Sequence, residues 1–349
     1  MSKKRILVTG AGALLGQGIL RCLQPIRQDY HIVTVDPDHR SSGFFLSDMA
    51  YTIPLADEQD YLQSLIAIIK REKIELIFIG TDVELPLLSN ERINLEKAYQ
   101  LKIAVSRPEV IAIANDKWLT ANFLRDNGFP FPVSVRATDG DGIHVLRVKG
   151  VYPLFAKPRD GARSKGIRVL NNEFDLAEIE KFPSNLVIQE FLEESEGEFT
   201  AGCLVFGGKC CAVVVLKRDL RDGNTWRAYS DISKKYEPFL MAVAEKLGAE
   251  GPCNFQFRIR ANQPVIFEIN ARFSGTTPLR MIFGFNEVKA TLNYYLNGVS
   301  DFDFKIAPGT VLRTFSDLFI SNEQMESLKL AGELKQPEGV DYPFSILKS

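Results

Sequence analysis

CNFQFRIRANQPVIFEINARFSG, residues 253–275, is the stretch on which the reading of this chain turns. Two runs of alternating apolar and polar residues flank a polar break. Successive side chains of a strand point to opposite faces. On the first run Asn254, Gln256 and Arg258 therefore share one face, and Phe255, Phe257 and Ile259 the other. On the second run Glu268, Asn270 and Arg272 oppose Phe267, Ile269 and Ala271. A turn of three or five residues centred on Asn262 sets Gln256 opposite Glu268 and Asn254 opposite Asn270. One side of this hairpin is apolar core. The other carries oxygen donors and two guanidinium groups.

That oxygen-rich face suits a hard cation. Mg²⁺ prefers oxygen and usually takes one or two protein carboxylates, with phosphates and water completing its shell. Glu268 can bridge two ions roughly 3.5–4 Å apart. Asn270 and Gln256 offer neutral oxygens, and Arg272 can meet charge that develops on a transferring phosphoryl group. A hairpin with a plain solvated face has the same pattern.

Three stretches upstream bear on the choice. FAKPRDGARSKGIRVL (155–170) puts Lys157 at a strand end, followed by a loop with Gly161 and Gly166 and a return strand. A lysine beside such a loop can meet phosphates by charge and by backbone N–H groups, or the segment is an ordinary hairpin. GxxxxGK[ST] is absent, so it is not a Walker A loop. VIQEFLEESEGEF (187–199) runs apolar into Glu190 and offers Glu198 past Gly197. A free strand end with a carboxylate can read a base edge, and a second carboxylate can hold ribose hydroxyls; a solvated acidic loop is the alternative. ANDKW places Lys117 on a helix, where surface exposure is the default.

The first hundred residues are of another kind. RILVT (5–9), HIVTVD (31–36) and IELIFIG (74–80) are strand-like, with helical periodicity over 14–23 and 61–73 between them. Strand alternating with helix specifies a parallel α/β sheet. Gly10, Gly12 and Gly16 form GxGxxxG, and Asp36 follows about 20 residues on, the spacing of a dinucleotide turn. It resembles that of extended short-chain dehydrogenases, which also need a YxxxK pair; no tyrosine here has a lysine four positions on. A tight structural turn is the favoured reading, with NAD(P) oxidoreductase chemistry the lesser one.

The order of these pieces resembles the ATP-grasp superfamily, above all its carbamoyl-phosphate-synthase-like branch, from the first strand to about residue 300. The resemblance implies an α/β chain: a Rossmann-like pre-ATP-grasp domain (1–108), an α+β ATP-grasp domain (109–300, with a mobile lid at roughly 118–190) and C-terminal strands (301–349) closing the ATP-grasp region. It implies Lys117 and Lys157 as nucleotide lysines. Gly161, Ser164, Lys165 and Gly166 become the phosphate loop. Glu190 and the backbone of Phe191 and Leu192 face adenine, and Glu198 the ribose. Gln256, Glu268 and Asn270 become Mg²⁺ ligands, one or two ions with Mn²⁺ able to substitute, and Arg272 the catalytic arginine. Many members carry a carboxylate where Gln256 stands, which points to weaker or more ATP-dependent metal binding. The glycine turn becomes scaffold, forming one wall of the substrate site.

The implied activity is ATP-dependent ligation: a small-molecule carboxylate is activated as an acyl phosphate and attacked by an amine or similar nucleophile. Lys217, Arg218 and Arg227 in LKRDLRDGNTWRAYS, and Ser274 and Thr276 in RFSGTTP, are candidates for holding the acid. A nucleotide-binding regulatory protein without turnover is the competing reading. Relatives are often dimers, and the sequence leaves the oligomeric state open, a homodimer among the readings. The net charge of −2 over 349 residues gives no broad electrostatic reason to bind nucleic acid or an anionic membrane. Five cysteines without a CxxC pair, and no bilayer-length apolar run, fit the cytoplasm.

Overall fold

The computed structural model describes residues 3–149, 152–161, 166–181, 185–193, 195, 197–230, 233–315 and 317–335. Their strands form three sheets. The first holds β1 (Lys4–Val8), β2 (Tyr30–Asp36), β3 (Met49–Thr52), β4 (Leu76–Phe78) and β5 (Lys102–Ala104). These pair in parallel in the order β3-β2-β1-β4-β5. β1 and β4 are apolar on both faces because helices cover both. A four-stranded antiparallel sheet follows: β6 (Ser134–Arg136), β7 (Leu154–Pro158), β8 (Arg168–Leu170) and β9 (Leu186–Glu190), in the order β6-β9-β7-β8. The third sheet is antiparallel, built from β10 (Glu198–Phe206), β11 (Lys209–Arg221), β12 (Asn224–Ser230), β13 (Gly251–Arg260), β14 (Gln263–Asn270) and β15 (Thr310–Leu312), in the order β14-β13-β10-β11-β12-β15.

The sequence pattern reads as short strands through the 130–220 region. Two helices also stand there, Gly140–Lys149 and Glu173–Lys181. Their apolar residues are spread around the helix instead of gathering on one stripe, so no helical period stands out. The helical run at 108–128 is two helices, Pro108–Asn115 and Lys117–Asp126. They break at Asp116, whose carboxylate caps the second by accepting from the N–H groups of Trp118 and Leu119. The tail differs from expectation. β15 joins the third sheet, but the last strand among the described residues, β16 (Glu333–Lys335), pairs antiparallel with β3 and extends the first sheet instead.

The first and third sheets share a core. One apolar cluster runs from Leu7, Val33 and Ile77 through Val110 and Leu240 to Phe255 and Phe257. On the other side of the first sheet, the helix Glu287–Asn297 seals Ile19 and Leu23 with Val288 and Leu292, and Phe273 meets Phe78 edge-on at 5.4 Å. The sheet edges that carry chemistry are thus fixed relative to each other by contiguous packing.

The glycine turn after β1 is packed from inside. A Cβ on Gly16 would lie 2.0 Å from the carbonyl oxygen of Gly10, and one on Gly80 2.0 Å from that of Thr9. The Asp36 carboxylate accepts from the N–H groups of Gly12 (2.8 Å) and Asp38 (3.0 Å). The acid that a ribose would need is therefore engaged by the turn itself. Leu14 and Leu15, just past the turn, line a cavity shared with the third sheet.

Candidate active site

The hairpin β13–β14 has the expected pairs, Asn254 with Asn270 and Gln256 with Glu268. Its turn is shorter than expected. Arg260 pairs with Gln263 across Ala261 and Asn262, both at positive φ (48° and 65°), as a two-residue hairpin turn requires. The register then shifts by one between Gln256 and Phe257, a bulge on β14. Ile266 takes the core position, fully buried, and Phe267 turns away from the apolar face to line the cleft, a correction to the simple alternation.

Three cavities meet at Glu268, which lines all of them. The first, about 320 Å³, lies between the β6–β9 sheet and the third sheet. Phe155, Ile167, Leu192, Leu220 and Phe267 give it apolar walls, and Lys117, Lys157, Glu190, Glu198 and Arg258 its charges. Lys157 is only 8% exposed, and its ammonium has no hydrogen bond among the described residues and stands 5.9 Å from the Phe267 ring centroid. Burial pushes it down to about 8, against the attraction of Glu268 and helped by Lys117 and Arg258. Burial also lowers Lys117, whose ammonium donates to the carbonyl of Gly161 at 3.0 Å. Two partly desolvated cations facing one carboxylate make this cleft electrostatically receptive to a polyanion.

The acidic end of the cleft is tightly bonded. Glu198 accepts from Arg218 (2.6 Å) through one oxygen and from Arg258 (3.0 Å) through the other. Glu190 accepts from the N–H of Val133 (3.0 Å) and from Arg260 (2.7 Å). The Leu192 carbonyl accepts from Arg258, and Phe191 packs edge-on against Phe155 at 5.3 Å without lining the cleft. Gly161 lines the cleft; Gly166 sits against Pro158, outside it. Ser164 and Lys165 lie outside the described residues.

At the junction, Gln256 and Asn270 both donate to one oxygen of Glu268, at 2.8 and 2.9 Å, and the Gln256 oxygen accepts from Arg218. The second cavity, about 110 Å³, holds Arg218, Arg272, Ser274, Thr276 and Arg313 beside Leu14 and Leu15. Arg272 forms a two-pronged pair with Asp82, which follows β4. The third, about 510 Å³, opens on the other side of Arg272 and carries Asp82, Asp160 and Lys117.

Two of the expected acid-holding residues are also elsewhere. Strand alternation sends Lys217 to the face opposite Arg218, exposed near Gly197, and Arg227 is exposed beside Asp219 at 3.6 Å. Neither lines these cavities. Four residues that were not candidates from the sequence line these cavities: Asp82, Arg258, Phe267 and Arg313. Arg258 was legible on the face of Gln256. Asp82 lies past the carboxyl end of a parallel strand, where ligands of such sheets gather. Phe267 depended on the bulge, and Arg313 had no local signal.

Comparison with known proteins agrees with this architecture. Residues 6–103 match the PylC-like N-terminal domain, and residues 182–314 match the model described as ATP-grasp in the biosynthetic pathway with Ter operon. Residues 182–314 thus resemble an ATP-grasp domain. Over 305 residues it is 26% identical to the carbamoyl phosphate synthase large chain of Campylobacter jejuni, covering 79% of this chain and 27% of that one. The chain thus spans about a quarter of the length of the curated relatives it matches. Solved structures share the fold. An ADP complex of N5-carboxyaminoimidazole ribonucleotide synthetase aligns with a TM-score of 0.67 at 16% identity, over 84% of this chain and 77% of that one. Biotin carboxylase from Campylobacter jejuni aligns with 0.66 at 16%, over 84% and 71%. Among the described residues no helix is long and apolar enough to cross a membrane.

Proposed function

We propose that this chain is an ATP- and Mg²⁺-dependent ligase that activates a small carboxylate as an acyl phosphate for attack by an amine or similar nucleophile. The observation that carries the reading is the convergence of three cavities on Glu268: one cationic cleft with apolar walls, one arginine-lined pocket and one acidic chamber. A nucleotide fits the first. Its base would lie among Phe155, Leu192 and Phe267, and its phosphates would run toward Lys117 and Lys157.

The donors at the junction are all oxygen-bearing: one carboxylate flanked by two side-chain amides, with no His or Cys. That chemistry fits a hard divalent cation. Glu268 and Asn270 would hold it. Gln256 would join only by exchanging its bond to Arg218. When bound, Mg²⁺ supplies charge neutralisation on the phosphates.

In the first step an oxygen of the acid bonds to the γ-phosphorus, and the bond from that phosphorus to the bridging oxygen of ADP breaks. Lys157 and Arg272 would hold the transferred group between them and offset its charge. In the second step the amine nitrogen bonds to the acyl carbon, phosphate leaves, and the nitrogen gives up a proton. The third cavity, with Asp82 and Asp160, suits the approach of an amine. The β6–β9 sheet would cover the first cleft and keep water from the acyl phosphate.

A specific observation favours a second reading, nucleotide binding without turnover. Glu268 is the single carboxylate of the ligand set, and Arg272 is held by Asp82. Release of phosphate from Mg-ATP across a panel of acids and amines decides between them. Turnover that appears with one acid and disappears in Glu268→Gln supports the ligase. Tight ATP binding with no ADP formed across the whole panel refutes it. NADH fluorescence is expected to show no binding at the glycine turn.

A further inference from the structure

The second cavity contains three guanidinium groups, and they are not equivalent. Arg218 has Glu198, and Arg272 has Asp82. Arg313 has no carboxylate within ion-pair reach among the described residues. It donates to the Gly275 carbonyl, while its buried Nε has no hydrogen-bond partner. The charge that acts on it is another cation, Arg21, which adds to burial in pushing its pKa down. A guanidinium does not give up its proton in proteins. The guanidinium is thus partly desolvated, with a backbone carbonyl as acceptor and no counter-charge among the described residues.

Its position is fixed. β15 pairs with β12, and the Arg313 N–H donates to the Trp226 carbonyl at 3.0 Å. The side chain thus lies at the end of the pocket marked by Gly275, beside the Ser274–Thr276 hydroxyl pair (2.6 Å). Glu268 and Arg272 line the same pocket, and the ligase reading puts the reacting carboxylate beside them.

We infer that Arg313 binds a second anionic group on the acid, so that the acyl substrate is a small dianion, a dicarboxylate or a phosphorylated acid. The inference rests on the ligase reading for which end reacts, but the anion site stands by itself. A cavity of about 110 Å³ suits an acid of a few carbons and not a peptide. A charge-assisted pair with a guanidinium also discriminates strongly against a neutral isostere, because the half-buried cation would be left without a counter-charge.

The test is calorimetric binding to the full chain with Mg²⁺ and a non-hydrolysable ATP analogue. The probes are three- to six-carbon dicarboxylates, phosphoglycerate, and monocarboxylates of matching length. At least one dianion should bind tenfold or more tightly than its monoanionic isostere. Arg313→Met should lose about a hundredfold for that dianion and stay within threefold for the isostere, while Arg313→Lys keeps part of the affinity. A preference for dicarboxylates over phosphoglycerate, or the reverse, identifies the group. The inference is overturned if no dianion is preferred, or if Arg313→Met weakens both classes equally. Phosphate release run in parallel separates the two proposals. Dianion binding that depends on Arg313 without ADP formation refutes the ligase and keeps the site. Turnover of monoanions, equal in both proteins, keeps the ligase and refutes the site.

Discussion

Replacing Lys157 by Met should stabilise the ligand-free protein at pH 7 and weaken its hold on ATP. The lysine sits at the end of β7 with 8% exposure, and its ammonium has no hydrogen bond among the described residues. Its proton leaves the folded protein near pH 8, against 10.5 for an ordinary lysine. That difference corresponds to about 3 kcal/mol of destabilisation while the group is charged. The sign follows from proton counts. Between pH 8 and 10.5 the unfolded chain holds more protons, so stability rises with pH across that window. Below pH 8 the full cost is present. Methionine fills similar space without a charge, so the variant should gain about 1–3 kcal/mol at pH 7 and lose the wild-type rise in melting temperature between pH 7 and 10. Thermal melts of both proteins over that range, compared as differences, measure this. ATP should reverse the effect in the wild type by holding Lys157 protonated. At pH 8, Mg-ATP binding should take up about half a proton, read from calorimetry in buffers of different ionisation enthalpy, and the variant should take up none from this group. A variant that melts lower than wild type at pH 7, with the same pH dependence, would refute the argument.

Asp82→Asn should loosen Arg272 and lower turnover about tenfold while ATP affinity stays within threefold, as measured by phosphate release and nucleotide titration. Arg280 and Glu287 form a fully buried pair at 3.0 Å, tied to Asn254, Thr200 and Thr277. Arg280→Leu should cost about 3–5 kcal/mol by stranding Glu287, and adding Glu287→Leu should recover much of the lost melting temperature. Gly16→Ala should destabilise by about 2 kcal/mol or more, because its Cβ would meet the Gly10 carbonyl; chemical denaturation gives the loss.

Much of the site was legible because strand periodicity is short-ranged. The alternation of residues 254–258 and 268–272 places Gln256 opposite Glu268 without knowledge of anything else. The parallel sheet was equally open, since helix 14–23 begins and ends where its apolar spacing does. What escaped was decided by tertiary pairing. The bulge that turns Phe267 into the cleft depends on how β13 registers with both β14 and β10. Arg313 becomes part of a pocket only because β15 joins the far edge of the third sheet. The separation of Lys217 from Arg218 follows from the two-residue period alone, and treating the pair as one basic cluster hides it.

β16 completes the first sheet from the far end of the described chain. Its neighbour Gly332 accepts from the Thr52 hydroxyl across 280 positions, and Glu333 pairs with Arg71 at 2.7 Å. During translation β3 therefore emerges long before the strand that seals it. At ribosomal speeds the delay is about 15–60 s. Throughout that interval β3 offers a row of unsatisfied amides and carbonyls to any extended polypeptide nearby. Nascent copies on one polysome are the nearest such neighbours, so overexpression yield should respond to slower initiation more than to added substrate.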